Sequence, residues 1–465
     1  MAIQYKDLPG PKGAPIVGSA FQLDIHNMHN QIENWSKEYG GVFQLNVMNK
    51  DITCITDPKV YQHILRDRPD KYIRMSKMDR IIREGGVHGV FNAEGEEWSL
   101  HRKIVAKGLD VKHQKEFFPN MLVTLERLYH KWKRNADNGD IIDIQQDFLR
   151  FTVDITTSMA FGVDMNTLEE KGGVIQNHME KIFPMIFKRM NQPIAWYRLF
   201  KSKADRAYEK AIEEVFKLVA EFIQAGRKQL AERPELREQP ENLLQAILVA
   251  AEEEGEEFTD EQVRGNLMTI LMAGEDTTAH TMAWATYLLA QRDDIQEELR
   301  SEADEVLGED KWFIDHSLQH KFPYIEGVTN ETMRIKPVAP MLIFEPTQDV
   351  EIEGYAFKSG AHILVQTRAG AMNDEFFTAA QEMNPRRWMK ASKCPVHNMD
   401  AFAPFGGGPR YCPGRNLAYL EIKMVFAMLF KNFNLEMVTK PQDVREIMAF
   451  TMMASPFEVK LTHRN

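Results

Sequence analysis

Cys412 stands near the end of a glycine-rich run, Phe405-Gly406-Gly407-Gly408-Pro409-Arg410-Tyr411-Cys412-Pro413-Gly414, just ahead of an apolar helical pattern. A sulfur placed there can be held as a thiolate. Glycines let backbone N–H groups approach it, and a helix start, here expected from Asn416 to about Phe430, favours an anion. Such a sulfur suits the axial ligation of an iron centre. Arg410, two residues earlier, offers a planar fork of donors to a carboxylate bound nearby. Other readings account for less of the run. A lone buried cysteine is the ordinary fate of an intracellular thiol. A phosphate cradle is opposed by Pro409, which lacks an amide donor, and by the missing Gly-Lys-Ser/Thr. Zinc would need more ligands than Cys394 and His397 provide.

Five further constellations carry charge or polarity at telling places. Thr259-Asp260-Glu261-Gln262 reads as a capping box opening a helix that runs through Ala290, with Asp293 and Asp294 capping the next. That long apolar helix is interrupted by Ala273-Gly274-Glu275-Asp276-Thr277-Thr278, whose burial is costly without partners. Glu331 and Arg334, at i and i+3 before Pro337, face one side of a helix and can pair. Asn384-Pro385-Arg386-Arg387-Trp388 adds further cations. Trp98 and Arg102 lie one turn apart and can reach a common group.

The spacing Phe-x-x-Gly-x-Arg-x-Cys-x-Gly resembles the haem-binding loop of the cytochrome P450 family. The interruption at 273–278 resembles that family's oxygen-activating motif, Glu331 and Arg334 its Glu-x-x-Arg pair, and Trp98 with Arg102 its Trp-x-x-x-Arg pattern. The elements occur in the family's order between Leu8 and Gly414. The resemblance implies a mainly α fold with minor β, a triangular prism with haem b between the long central helix and the cysteine-bearing one. It implies Cys412 as axial ligand in the loop that includes Phe405, Gly406 and Gly414, and Trp98, Arg102 and Arg410 as propionate contacts. Ala273 and Gly274 would let the flat macrocycle and dioxygen lie against the helix. Thr277 would hydrogen-bond dioxygen, and Asp276 would relay protons. Glu331, Arg334 and Arg387 would lock the segment leading to the cysteine loop. Two positions depart from the family: Arg386, where the residue is usually acidic, and Phe344, where many members place a basic propionate partner.

The activity so implied is monooxygenation of an apolar fatty acid, terpenoid or steroid-like substrate. Electrons from NAD(P)H would arrive through a separate ferredoxin or flavodoxin with its reductase, docking near His101, Lys103 and Lys107. A peroxide-driven or isomerising haem-thiolate enzyme and a non-catalytic haem or gas-binding protein are the alternatives. The pocket would draw on residues 70–91, Met272, Val338 to Met341, and Phe450 to Met453.

The elements that must position these groups can be read coarsely. Helical periodicity marks His29 to Tyr39, a hairpin is expected at Gly41 to Met48 and Asp51 to Ile55, and helices dominate from Pro58 to Glu305. Strand patterns return at Val350 to Phe357, His362 to Val365 and Phe457 to Leu461. The 465 residues show no linker, so one domain is expected, β-rich over about 1–57. Hydrophobic residues at 43% can build a substantial core. The three cysteines, Cys54, Cys394 and Cys412, are too scattered for a disulfide framework and point to a reducing, cytoplasmic setting. No leader or membrane anchor is visible. The net charge of −11, with an acidic run at 252–257, disfavours nucleic acid as partner. A monomer is expected.

Overall fold

The alternating stretches on either side of Met48 form the expected hairpin, Val42–Val47 against Lys50–Ile55, preceded by the helix Met28–Tyr39. A computed structural model describes residues 2–48, 50–170, 174–192, 194–253, 258–389 and 398–464. Cys394, His397 and residues 254–257 of the acidic run lie outside the described residues.

The hairpin is one edge of a five-stranded sheet. Lys50–Ile55 runs parallel to His362–Gln366, which pairs antiparallel with Met341–Pro346, and that strand pairs in turn with Tyr72–Arg74. Met341–Pro346 was not expected as a strand. Its sequence, Met-Leu-Ile-Phe-Glu-Pro, lacks the polar alternation that marks a half-exposed strand, because pairing on both edges and cover on both faces remove the need for it. The pattern at 350–357 divides into Val350–Ile352 and Tyr355–Phe357, turned by Glu353 and Gly354, both at positive φ. A second sheet joins Phe433–Met437, Val459–His463 and Ile141–Ile142.

The long helix spans Asp260–Leu289, about 45 Å at 1.5 Å per residue. Its capping box is reciprocal: Gln262 N donates to Thr259 Oγ1, and Thr259 N donates to Gln262 Oε1 at 2.8 Å. The next helix, Asp293–Leu307, departs from expectation. Its N-cap is Arg292, without a side-chain cap, while Asp294 in the first turn receives the Arg292 guanidinium. The cysteine-bearing helix is Arg415–Asn432, buried along Leu417 to Phe430 apart from Ala418. It and the long helix share one hydrophobic core with Val111–Asn138 and Ile144–Phe161. Each fully buried Leu or Phe contributes roughly 1.5–3 kcal/mol, so this core holds the two site-bearing helices in fixed relation. Among the described residues no helix is long and apolar enough to cross a membrane.

Candidate active site

The cysteine loop is shaped by backbone constraints. Cys412 N donates to Phe405 O at 3.0 Å, closing the run on itself. Gly406 and Gly408 both have φ in the left-handed region, at +72° and +61°. At Gly408 a Cβ would also meet the Leu65 carbonyl oxygen at 2.2 Å, so only glycine allows the loop to pack on the helix Pro58–Arg66. Burial pushes the Cys412 thiol up, while the N–H groups of Gly414 and Arg415 and the nearby Arg102 guanidinium pull it down. Those opposing groups are the ones that would stabilise a thiolate once a cation binds it. Cys54 has no such company. It is fully buried in the sheet, and burial alone drives its thiol upward.

On the long helix, Ala273 is exposed although Met272 beside it is buried, and Thr277 lies on the same face one turn on. The Thr277 hydroxyl donates to Ala273 O at 2.8 Å, which leaves its oxygen lone pairs toward that open face. The missing side chain of Gly274 makes room for a neighbouring helix, since a Cβ there would meet Thr156 Oγ1 at 2.8 Å. Thr152 Oγ1 donates to Glu275 O at 3.0 Å from the same helix, Ile144–Phe161.

Beside the cysteine loop lies a cluster of arginines. Arg410, nearly buried, bonds Glu94 and stands over the Trp98 ring at 5.0 Å, while Arg102 is close enough to lower its basicity. Two members come from elsewhere in the chain. Arg74 donates from Nε to Phe91 O at 2.7 Å, and its backbone N donates to Glu94 Oε1 at 2.9 Å. Arg68 is 5% exposed, and its Nε and Nη2 find no acceptor. Three guanidiniums, of Arg68, Arg74 and Arg410, thus gather around the Glu94 carboxylate, with Arg102 beside Arg410. Burial holds all four below ordinary arginine basicity, Arg68 to about 9, and repulsion from neighbouring guanidiniums adds to it at Arg68, Arg74 and Arg410. Arginine does not shed its proton in a protein, so the imbalance is relieved only by an anion. A flat cofactor bearing two carboxylates fits this donor set.

The third assembly is a closed knot. Arg334 donates through Nε and Nη2 to both Glu331 oxygens at 2.9 Å, and Arg387 Nε donates to Glu331 Oε1 at 3.0 Å. All three side chains are fully buried. Arg334 Nη1 also donates to the carbonyls of Ala371 and Ala380, and Trp388 Nε1 and Asn384 N donate to Glu331. Arg386 turns outward to Glu298 on Asp293–Leu307.

Of the apolar lining regions, Phe91 meets Phe450 at 6.2 Å between ring centres, and Met452 N donates to Val338 O at 2.8 Å. Asp70, at the outer end of its region, is exposed and contributes nothing to a lining. Phe183 was not anticipated. It stacks on Phe450 at 4.9 Å from the helix Val174–Asn191, and only its place in an apolar helical run could have drawn notice. The basic docking patch also changes. His101 is buried against Asn266 and Phe258, and Lys107 pairs with Glu253, so of the three only Lys103 and Lys107 reach the surface.

The sequence matches the family described as Cytochrome P450 over residues 8–461. Protein LUTEIN DEFICIENT 5, chloroplastic, from Arabidopsis thaliana is 27% identical over 452 residues, covering 93% of this chain and 72% of that protein. A self-sufficient cytochrome P450 monooxygenase, CYP505E4 from Penicillium camemberti, is 26% identical over 98% of this chain. The match spans only 43% of that fungal protein's own length. Cytochrome P450 3A15 of Cavia porcellus is 25% identical, covering 92% of this chain and 85% of that protein.

Proposed function

The chain belongs to the cytochrome P450 family of haem-thiolate monooxygenases, and on that premise we propose that Cys412 ligates the iron and that the substrate is an apolar fatty acid, terpenoid or steroid-like molecule. Bound haem supplies the dioxygen activation that no side chain can perform. The observation that carries the reading is the company of Cys412: two backbone N–H groups and the Arg102 guanidinium facing one sulfur, beside three more arginines that share a single carboxylate.

The protein's own groups then divide the work. Gly414, Arg415 and Arg102 hold the sulfur's charge, and Trp98, Arg102 and Arg410 hold the propionate edge. Thr277 and Asp276 hold and pass the protons that reduction of dioxygen consumes, Thr277 through a hydroxyl whose rotor is set by Ala273 O. Phe91, Phe183 and Phe450 give the substrate an apolar wall that keeps water out. Separate ferredoxin or flavodoxin partners supply electrons from NAD(P)H.

The reduced, CO-treated protein tests this. A Soret band at the long-wavelength thiolate position is expected, kept in Cys54→Ala and Cys394→Ala and lost in Cys412→Ala. Persistence of that band in Cys412→Ala would overturn the assignment. Titrating the ferric protein with fatty acids, terpenoids and steroids and following the Soret shift identifies the substrate class. Indifference to all three classes would refute the proposed pocket.

A further inference from the structure

Resting on the haem reading above, we propose that Arg68 binds a haem carboxylate in place of the basic side chain that position 344 lacks. Phe344 is fully buried in Met341–Pro346, directly opposite Arg74 in the strand ladder. A phenyl ring cannot donate a hydrogen bond. The Arg68 guanidinium lies over that ring, 4.5 Å from its centre, so the aromatic face that replaces the lost cation also seats a new one.

Two observations make Arg68 a ligand-binding group rather than a structural one. Its Nε and Nη2 are buried without an acceptor, and Glu94 Oε1 stands 3.8 Å from Nη2, beyond hydrogen-bond reach. Glu94 is already committed, one oxygen to Arg74 N and the other to Arg410. The placement of Arg68 is also tied to the cysteine loop. Gly408 packs against Leu65 at the end of Pro58–Arg66, and the chain reaches Arg68 two residues after that helix ends. The contact that positions Cys412 therefore positions Arg68 as well. A stacked guanidinium keeps its in-plane N–H groups for a carboxylate, which makes Arg68 a further cation, beside Arg102 and Arg410, for a dicarboxylate cofactor.

The test uses haem-loaded protein and follows haem transfer to excess apomyoglobin together with the midpoint potential. Arg68→Gln is expected to release haem roughly ten- to a hundredfold faster, the range for losing a hydrogen bond to a charged group. Its potential should fall, because a cation near the cofactor favours the reduced state. Arg68→Lys, which keeps charge but not the fork, should lie between. Arg66→Gln, at an exposed neighbour, should match the parent. Adding Phe344→His to Arg68→Gln should recover part of the retention. If Arg68→Gln does not accumulate, Arg68→Lys decides: faster release supports the assignment, and an unchanged rate and potential overturn it. A parent protein with the thiolate Soret band but indifferent to both Arg68 variants sinks this assignment alone. A parent without that band sinks the haem reading with it.

Discussion

Two buried charge clusters flank the path to Cys412, and they are built on opposite principles. In the Glu331 knot, both carboxylate oxygens and the guanidinium edges of Arg334 and Arg387 find partners, including backbone carbonyls of residues 371–382. In the arginine cluster, Arg68, Arg74 and Arg410 share Glu94 with Arg102 close by, and Arg68 has donors with nowhere to go. The knot is complete without any ligand, so its free energy belongs to folding. The arginine cluster is completed only by an anion, so its free energy belongs to binding. Burial does not separate a scaffold from a site here. Satisfaction of the buried groups does.

The largest break in this comparison is Glu331→Gln. It keeps the shape but removes the charge facing two buried guanidiniums, and about 3–5 kcal/mol of stability should be lost, with haem-loaded protein failing to accumulate. Chemical denaturation measures it. A loss under about 1 kcal/mol, the scale of one ordinary hydrogen bond, would mean that the knot is not what holds residues 371–388.

Acid probes a third buried group, outside both clusters. His280 on the long helix is buried, and burial alone pushes its pKa down to about 4. In the unfolded chain it takes up a proton below about 6.5. The unfolded state therefore binds more protons between those values, and stability falls as pH drops through that window by up to about 1.4 kcal/mol per unit. His280→Leu should flatten this limb of the stability curve measured from pH 7 to 4. An unchanged slope would assign it to other groups.

A smaller effect is expected from Arg410→Gln. Removing one of four like charges relieves repulsion while freeing Glu94 to close on Arg68, so stability should change by about 1 kcal/mol or less, even as haem retention falls. If it cost as much as Glu331→Gln, the two clusters would not differ in kind. The smallest structural effect belongs to Thr277→Ala, which removes only a back-bond to Ala273 O and should leave melting unaltered. Product formed per NAD(P)H consumed should drop as electrons pass to peroxide. Unaltered coupling would remove Thr277 from the proton path.

What could be read from the sequence was local in the chain. The glycine run ending at Cys412, the reciprocal cap of Thr259 with Gln262, and the i, i+3 pair of Glu331 with Arg334 are each contained in ten residues or fewer, where turn geometry and helical periodicity decide which groups meet. Arg387 and the Trp98–Arg102 turn were legible through resemblance to a family rather than through spacing alone. Only the tertiary structure joined Arg68, Arg74, Glu94 and Arg410, which are hundreds of residues apart at the extremes and meet because Tyr72–Arg74 pairs with Met341–Pro346 while Gly408 packs on Leu65. It also decided that Gly274 makes room for Thr156 and that His101 faces inward to Asn266. An imbalance of charge is a property of a neighbourhood, and strand pairing and loop packing define that neighbourhood after the chain has folded.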